Sequence, residues 1–103
     1  MAVRYVDGAR IELEEAALWY EARREGLGER YLAVVRATER LIEVAPRSGA
    51  VIASSRARGS VRRVRVHGFP YALFYMRRAT TIWVLAVAHI RRRPGYWRGR
   101  GVP

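Results

Sequence analysis

Residues 71–88 read YALFYMRRATTIWVLAVA, two apolar runs separated by five mostly polar residues. Tyr71–Met76 and Ile82–Ala88 are apolar at odd and even positions alike, which predicts strands that are buried on both faces in the middle of a sheet. Arg77–Thr81 is the predicted turn between them, although it lacks the Gly or Asn that is typical of a tight hairpin. These two strands are the expected centre of the fold.

A third strand is predicted upstream of this pair. The segment Val61–Val66 (VRRVRV) puts Val64 and Val66 on one face and Arg63 and Arg65 on the other, which is the alternation of a half-buried strand. We therefore expect the two arginines to share a face of the sheet.

The other extended segments are shorter. Met1–Val6 is a candidate N-terminal strand because Val and Tyr have β preference, and Ala50–Ala53 is a second candidate. Ser54–Ser60 (SSRARGS) is predicted to be a loop.

Two helices are predicted between the first two strands. Asp7 is the expected N-cap of the first helix, and Gly26–Gly28 is a natural break before the second helix, which ends at Pro46. The apolar stripe of the first helix comprises Leu13, Ala16, Ala17 and Tyr20. The apolar face of the second comprises Tyr31, Val34, Val35, Thr38, Leu41 and Ile42. The short connection requires the helices to fold back as an αα-hairpin.

The predicted order is β–α–α–β–β–β–β, an α+β fold. We expect an N-terminal strand and an αα-hairpin packed on a mostly antiparallel, four- to five-stranded twisted sheet. With 103 residues, the chain is long enough for a single domain that spans residues 1–103.

Charge is distributed unevenly along the chain. All twenty basic residues are arginine, and the formal net charge is +11. All nine acidic residues lie between Asp7 and Glu43, whereas residues 44–103 contain thirteen arginines and no acid. A half-chain of one sign favours an anionic partner, such as a phosphate backbone or an acidic protein, since a merely solvated surface usually mixes signs.

Composition argues against several kinds of site. The chain has no cysteine, which excludes disulfides, thiolate catalysis and zinc sites built on cysteine. Two histidines, His67 and His89, with no acid in the basic half argue against a metal site, and no cofactor is expected. No segment approaches the roughly 18 apolar residues of a membrane span, and no signal peptide is evident, so we expect a cytoplasmic protein without membrane contact.

Three stretches carry a resemblance to a known family, and they are ELEEAALWYEARREGLGERYL (12–32), RRVRVHGFPYALFY (62–75) and WVLAVAHIRRRPGYW (83–97). In this order they resemble the RelE/ParE superfamily of toxins from bacterial type II toxin–antitoxin modules. The resemblance implies a toxin that is bound and neutralised by a cognate antitoxin, in a hetero-oligomer. It leaves two activities open, because RelE-like members cut mRNA on the ribosome and ParE-like members inhibit DNA gyrase.

RNA cleavage by the 2′-hydroxyl needs a base, cations that stabilise the phosphorane and an acid for the leaving oxygen. By the resemblance to RelE-like enzymes, Arg63 and Arg65 hold the third-strand positions and Tyr96 falls near the C-terminal tyrosine. The nuclease interpretation assigns catalysis to five residues, which are Arg63, Arg65, His89, Arg91 and Tyr96. The family's fourth-strand arginine would follow Tyr71, but this chain has Ala72 there, which removes a phosphate-stabilising charge.

Two features of the C-terminal stretch have alternative interpretations. His89 is either a strand-end histidine that is hydrogen-bonded to the backbone or a titrating group of a site. The run Arg91–Arg93, before Tyr96 and Trp97, suits phosphate contact with base stacking. It equally suits a flap that packs Trp97 back onto the fold, or contact with an acidic antitoxin segment.

Because Ala72 breaks the nuclease pattern, we favour a ParE-like toxin that acts on DNA gyrase. The alternatives are a ribosome-dependent, metal-independent mRNA endonuclease and a non-toxic basic RNA-binding domain.

Overall fold

The computed structural model, which describes residues 1–56 and 59–103, has two helices packed on one face of a five-stranded sheet. The helices are α1 (Asp7–Arg23) and α2 (Leu27–Val44). The strands are β1 (Ala2–Tyr5), β2 (Ala50–Ser55), β3 (Gly59–Arg65), β4 (Tyr71–Arg78) and β5 (Thr81–His89). Their order across the sheet is β1-β5-β4-β3-β2, with β1 parallel to β5 and the other neighbours antiparallel. The predicted α+β fold is confirmed, with β4 and β5 in the interior of the sheet.

The αα-hairpin depends on a close approach between its helices. A Cβ on Gly28 would lie 2.6 Å from the carbonyl oxygen of Ala17, so only glycine fits there. The Glu21 carboxylate on α1 accepts hydrogen bonds from the backbone N–H groups of Gly26 and Gly28, both at 2.9 Å. These bonds satisfy donors that the first turn of α2 leaves unpaired, and they fix the angle between the helices.

An aromatic cluster fills the space between the helices and the sheet. Tyr20 of α1 and Tyr31 of α2 contact Phe69 and Tyr71, with ring centroids 5.0–6.1 Å apart. Tyr31 is fully buried, whereas Leu41, which was predicted to share the buried face of α2, is 48% exposed. Thr38 and Ile42 take the buried side of that turn instead.

The two faces of the sheet pack against different parts of the chain. Tyr71 of β4 points to the helices, as its ring contacts with Tyr20 and Tyr31 show. Phe74, an odd number of residues away, points to the opposite face, where its ring lies 5.6 Å from that of Trp97. We call these the helix face and the tail face. Trp97 lies in a short 3-10 helix, Tyr96–Gly99, and is buried, so the C-terminal stretch packs back onto the fold.

Two local predictions, the N-cap of α1 and the loop between β2 and β3, are corrected. Asp7 is not the N-cap of α1 but its first residue; Val6 is the N-cap, because its N–H still pairs with Val84 of β5 at 3.1 Å. The segment 54–60 is not all loop: β2 continues to Ser55 and β3 begins at Gly59, while residues 57–58 lie outside the described residues. The extension is supported by a contact of 3.1 Å between the hydroxyls of Ser54 and Ser60.

The turn between β4 and β5 is shorter than predicted. β4 runs to Arg78 and β5 begins at Thr81, which leaves Ala79 and Thr80 as the two turn residues. Ala79 has a φ of 54°, the positive value that such a tight turn demands and that glycine usually supplies. The side chain of Arg77 supports it, because its Nε donates to the Ala79 carbonyl at 3.0 Å.

The loop after α2 is held by a tyrosine of the sheet. The Tyr75 hydroxyl accepts a hydrogen bond from Gly49 N at 3.0 Å and donates one to the Pro46 carbonyl at 2.8 Å. Tyr31, in contrast, has a buried hydroxyl with no partner among the described residues.

These two tyrosines form a matched pair for mutation. Tyr75→Phe leaves Gly49 N unpaired, and we expect it to lower the free energy of unfolding by about 1–3 kcal/mol. Tyr31→Phe removes a hydroxyl that is buried without a hydrogen-bond partner among the described residues. We therefore expect the free energy of unfolding to stay the same or to rise by up to about 1 kcal/mol. Urea unfolding of both variants measures the difference, and equal losses would contradict these hydrogen-bond assignments.

Candidate functional site

The tail face carries two arginines of the predicted site. Arg63 pairs with Phe74 and Arg65 with Ala72 across the β3–β4 ladder. Directly opposed residues share a face, so both arginines project on the side of Phe74 and Trp97. Both are exposed, and neither has a carboxylate within 4.0 Å among the described residues.

Ala72 lies in the middle of this face. It is 2% exposed and is flanked by Arg65 of β3 and Ala88 of β5. The position at which the resemblance implies an arginine therefore holds a buried methyl group, and no cation extends from it.

His89 lies on the other side of the sheet from these arginines. It pairs with Tyr71 at the end of β5, and the two rings are 5.3 Å apart. Because Tyr71 points to the helices, His89 shares the helix face. Its Nδ1 accepts a hydrogen bond from Arg91 N at 3.1 Å. This is the contact expected if His89 is a strand-end histidine that is hydrogen-bonded to the backbone.

The arginine run forms an exposed turn after β5. Arg92 N donates to the His89 carbonyl at 2.9 Å, and the Arg92 guanidinium lies 4.0 Å from the centroid of the Tyr96 ring. Arg91 contributes its backbone N–H to His89, while its side chain is exposed.

Tyr96 is hydrogen-bonded to a carboxylate. Its hydroxyl donates to Oε2 of Glu12, on α1, at 2.6 Å. Burial raises the pKa of Tyr96 above its ordinary value of 10.0, and the hydrogen bond and charge of Glu12 raise that pKa further. Arg100 and Arg92 lower it, but the net direction is upward.

Glu12 organises the whole region, although the sequence analysis did not single it out. Its carboxylate accepts hydrogen bonds from Val87 N at 3.0 Å and from both terminal nitrogens of Arg100, at 2.8 and 3.1 Å. Arg100 Nη1 also donates to the Leu85 carbonyl at 2.9 Å. No spacing rule relates residues 12 and 100, so only the fold reveals this cluster of Glu12, Tyr96 and Arg100.

Glycine makes room for this contact at the start of α1. A Cβ on Gly8 would lie 2.8 Å from Cζ of Arg100. The Arg100 guanidinium therefore lies directly against the first turn of α1.

A groove of about 490 Å³ opens beside the same cluster on the helix face. Its lining is aromatic and charged and comprises Glu12, Glu15, Ala16, Trp19, Tyr20, Pro70, Tyr71, Val87, His89 and Arg92. His89 and Arg92 line this groove together with Glu12, and Arg63 and Arg65 do not. Tyr96 reaches Glu12 through its hydroxyl.

Two further features of the described residues bear on function. Among residues 1–56 and 59–103, no group of three or more His, Cys, Asp and Glu side chains has a metal-binding arrangement. Neither α1 nor α2 is long and apolar enough to cross a membrane.

Replacing Glu12 tests its organising role. Glu12→Gln removes the charge that faces Arg100 and Tyr96, and we expect unfolding free energy to fall by about 1–3 kcal/mol. Glu14→Gln is the matched control, since Glu14 forms an exposed pair with Arg10 and should cost less than about 0.5 kcal/mol. Amide exchange at Val87 should change only in the first variant, and so should the indole N–H signal of Trp97 in the NMR spectrum. Arg100→Gln should add little to Glu12→Gln because the two groups act as a unit.

The raised pKa of Tyr96 predicts a loss of stability in alkali. An unfolded tyrosine ionises near pH 10, whereas the folded Tyr96 holds its proton to higher pH. The unfolded state therefore binds fewer protons above that pH, and stability falls as pH rises. Between about pH 10 and pH 12, the free energy of unfolding of Tyr96→Phe, measured with urea, should fall less steeply with pH than that of the parent chain. Identical slopes would count against this assignment.

Comparison with known proteins completes the description. The chain superposes on one chain of a structure described as "Chromosomal ParDE TA system from P. aeruginosa", with a TM-score of 0.59, 15% sequence identity and coverage of 86% of this chain and 95% of that chain. Comparisons with protein-family models and with curated proteins give no match. At this identity the likeness is one of fold: the chain has the α+β fold of a chain from a ParDE toxin–antitoxin structure, as the RelE/ParE resemblance implied.

Proposed function

We propose that this protein is the toxin of a type II toxin–antitoxin module, a ParE-like growth inhibitor that acts on DNA gyrase and is neutralised by a cognate antitoxin. The observation that carries the choice of target is the separation of the nuclease residues. Arg63 and Arg65 project on the tail face, whereas His89 projects on the helix face. A base, a cation cluster and an acid must meet around one phosphate to cut RNA.

The state of Tyr96 supports the same choice. A general acid in RNA cleavage must release its proton to the leaving oxygen, and this requires a pKa near the working pH. The pKa of Tyr96 is raised, and its hydroxyl donates a hydrogen bond to Glu12. Ala72 adds to this argument, because its methyl group offers no charge to a phosphorane.

The exposed apolar side chains of α1 support a bound antitoxin. Ile11 and Leu18 are spaced by seven residues, two turns of one helical stripe, and Leu18 is 70% exposed. Trp19 lies beside them, 51% exposed, with the guanidinium of Arg23 4.2 Å from its ring centroid. A stripe of this kind on a small domain is typical of a surface that a partner covers.

The exposed arginines supply the expected contact with the target. In the described part of residues 44–103, Arg92 and Arg100 are the arginines with a carboxylate within 4.0 Å, and both reach Glu12. We propose that Arg63, Arg65 and Arg91 contact the gyrase–DNA complex directly. Binding should therefore weaken as ionic strength rises, since exposed charges are screened over about 8–10 Å.

Controlled induction in a bacterial host tests this proposal. We expect growth arrest with relaxed plasmid DNA and intact mRNA, and inhibition of purified gyrase in a supercoiling assay by the purified chain. The double variant Arg63→Ala/Arg65→Ala should reduce inhibition at least roughly tenfold through the loss of two contacts. Arg30→Ala/Arg36→Ala removes the same charge from exposed positions of α2 and should retain full activity.

The other outcomes are equally informative. Arrest with cleaved mRNA and normal supercoiling, abolished by Arg65→Ala with Tyr96→Phe, would overturn the gyrase target and establish the endonuclease alternative. Normal growth on induction of a folded chain would contradict both activities and leave the non-toxic RNA-binding domain.

A further inference from the structure

A second concavity, lined by basic residues, lies on the helix face beyond the end of α2. It has a volume of about 300 Å³ and is lined by Pro46, Arg47, Ser60, Arg62, Tyr75 and Arg77. Arg62 pairs with Tyr75, and the hydroxyl of Tyr75 reaches the Pro46 carbonyl, so this cluster is on the helix face. It is therefore separated by the sheet from Arg63 and Arg65.

The guanidinium of Arg62 is fixed before any ligand arrives. Its Nη1 donates to the Gly49 carbonyl at 2.8 Å and to the Arg47 carbonyl at 3.1 Å. Gly49 is itself held by Tyr75, and a Cβ there would lie 2.7 Å from the Tyr75 hydroxyl oxygen. A guanidinium has five N–H donors, so the N–H groups on Nε and Nη2 of Arg62 remain available as donors.

Arg77 approaches from the neighbouring strand. It follows Tyr75 by two residues and so lies on the same face, diagonal to Arg62, a separation that long side chains can span. Its Nε donates to the Ala79 carbonyl at 3.0 Å, which orients the group and leaves both terminal nitrogens as donors. The register of β3 and β4, extended by one residue beyond the Val61–Met76 pair, brings Ser60 opposite Arg77.

Like charges in one concavity repel each other, and a bound anion offsets this repulsion. No carboxylate among residues 1–56 and 59–103 lies within 4.0 Å of Arg47, Arg62 or Arg77. Backbone carbonyls hold two of these guanidinium groups in place but carry no full charge. The charge at this position is therefore uncompensated within the described chain.

We propose that this concavity, lined by Arg47, Ser60, Arg62 and Arg77, is a binding site for a phosphate group. Planar guanidinium forks match the oxygen geometry of phosphate, and the fixed orientation of Arg62 and Arg77 lowers the entropy lost on binding. The Ser60 hydroxyl, which contacts the Ser54 hydroxyl at 3.1 Å, can donate to the ligand when it accepts from Ser54. The site is distinct from the proposed target contacts of Arg63 and Arg65, because it lies on the other face of the sheet from those two arginines.

Inorganic phosphate is the probe for the test. Adding it to the ¹⁵N-labelled protein at constant ionic strength should shift the Nε–H signals of Arg62 and Arg77 and the amide of Ser60, with saturation in the millimolar range or below. Arg77→Gln should raise the Kd roughly tenfold, the effect of one lost charge-assisted hydrogen bond. Arg77→Lys keeps the charge without the fork and should give an intermediate Kd.

Arg36→Gln, on the exposed surface of α2, is the control for net charge and should leave the Kd unchanged. Arg62→Gln loosens the loop at Gly49 as well, so Arg77→Gln carries the decision. Shifts that do not saturate, or equal weakening by Arg36→Gln, would show non-specific attraction to a basic protein and overturn the site. Neither result would bear on growth arrest, which is measured separately.

Two further titrations identify the source of the phosphate. A short single-stranded oligonucleotide that displaces inorganic phosphate, with a Kd that rises steeply with salt, assigns the site to a nucleic-acid backbone. If a nucleoside monophosphate displaces phosphate and the oligonucleotide does not, the ligand is a small phosphorylated molecule.

Discussion

The fold depends on how the backbone N–H and carbonyl groups along the outer edge of β5 find hydrogen-bond partners. β1 pairs only with Thr81–Val84, since the chain then turns into α1 at Asp7. The second half of β5 would expose backbone donors and acceptors, and an unpaired buried backbone group costs as much as a lost hydrogen bond. Side chains take the place of the missing strand. The Glu12 carboxylate accepts from Val87 N, and the Arg100 guanidinium donates to the Leu85 carbonyl.

This edge also determines where the C-terminal stretch lies. Because Arg100 and Tyr96 both bind Glu12, the short 3-10 helix between them is held against the sheet, and Trp97 is buried beside Phe74. The same geometry binds the Tyr96 hydroxyl to the Glu12 carboxylate. A structural requirement of one strand therefore constrains what chemistry the C-terminal residues can perform.

The sequence predicted the elements whose signal is local. Both central strands follow from unbroken apolar runs, and the hairpin of helices follows from apolar stripes separated by Gly26 and Gly28, because burial of one face imposes those periods. The contacts of Glu12 with Tyr96 and Arg100 span 84 and 88 residues and leave no periodic trace. Nor does composition distinguish Arg62, bound to two carbonyls, from its exposed neighbour Arg63. Alternation along β3 assigns them to different faces but says nothing about what each side chain contacts.

That alternation changes the meaning of the charge asymmetry. In sequence, the thirteen arginines after residue 44 form one basic half, which suggests one anionic partner. In the fold, adjacent arginines of β3 point to opposite sides of a sheet: Arg63 joins the tail face, and Arg62 joins the concavity with Arg77. A partner that covers one face cannot contact the other unless it wraps around an edge of the sheet. The arginines of β3 thus belong to two separate surfaces of the sheet, and each surface requires its own account of what it binds.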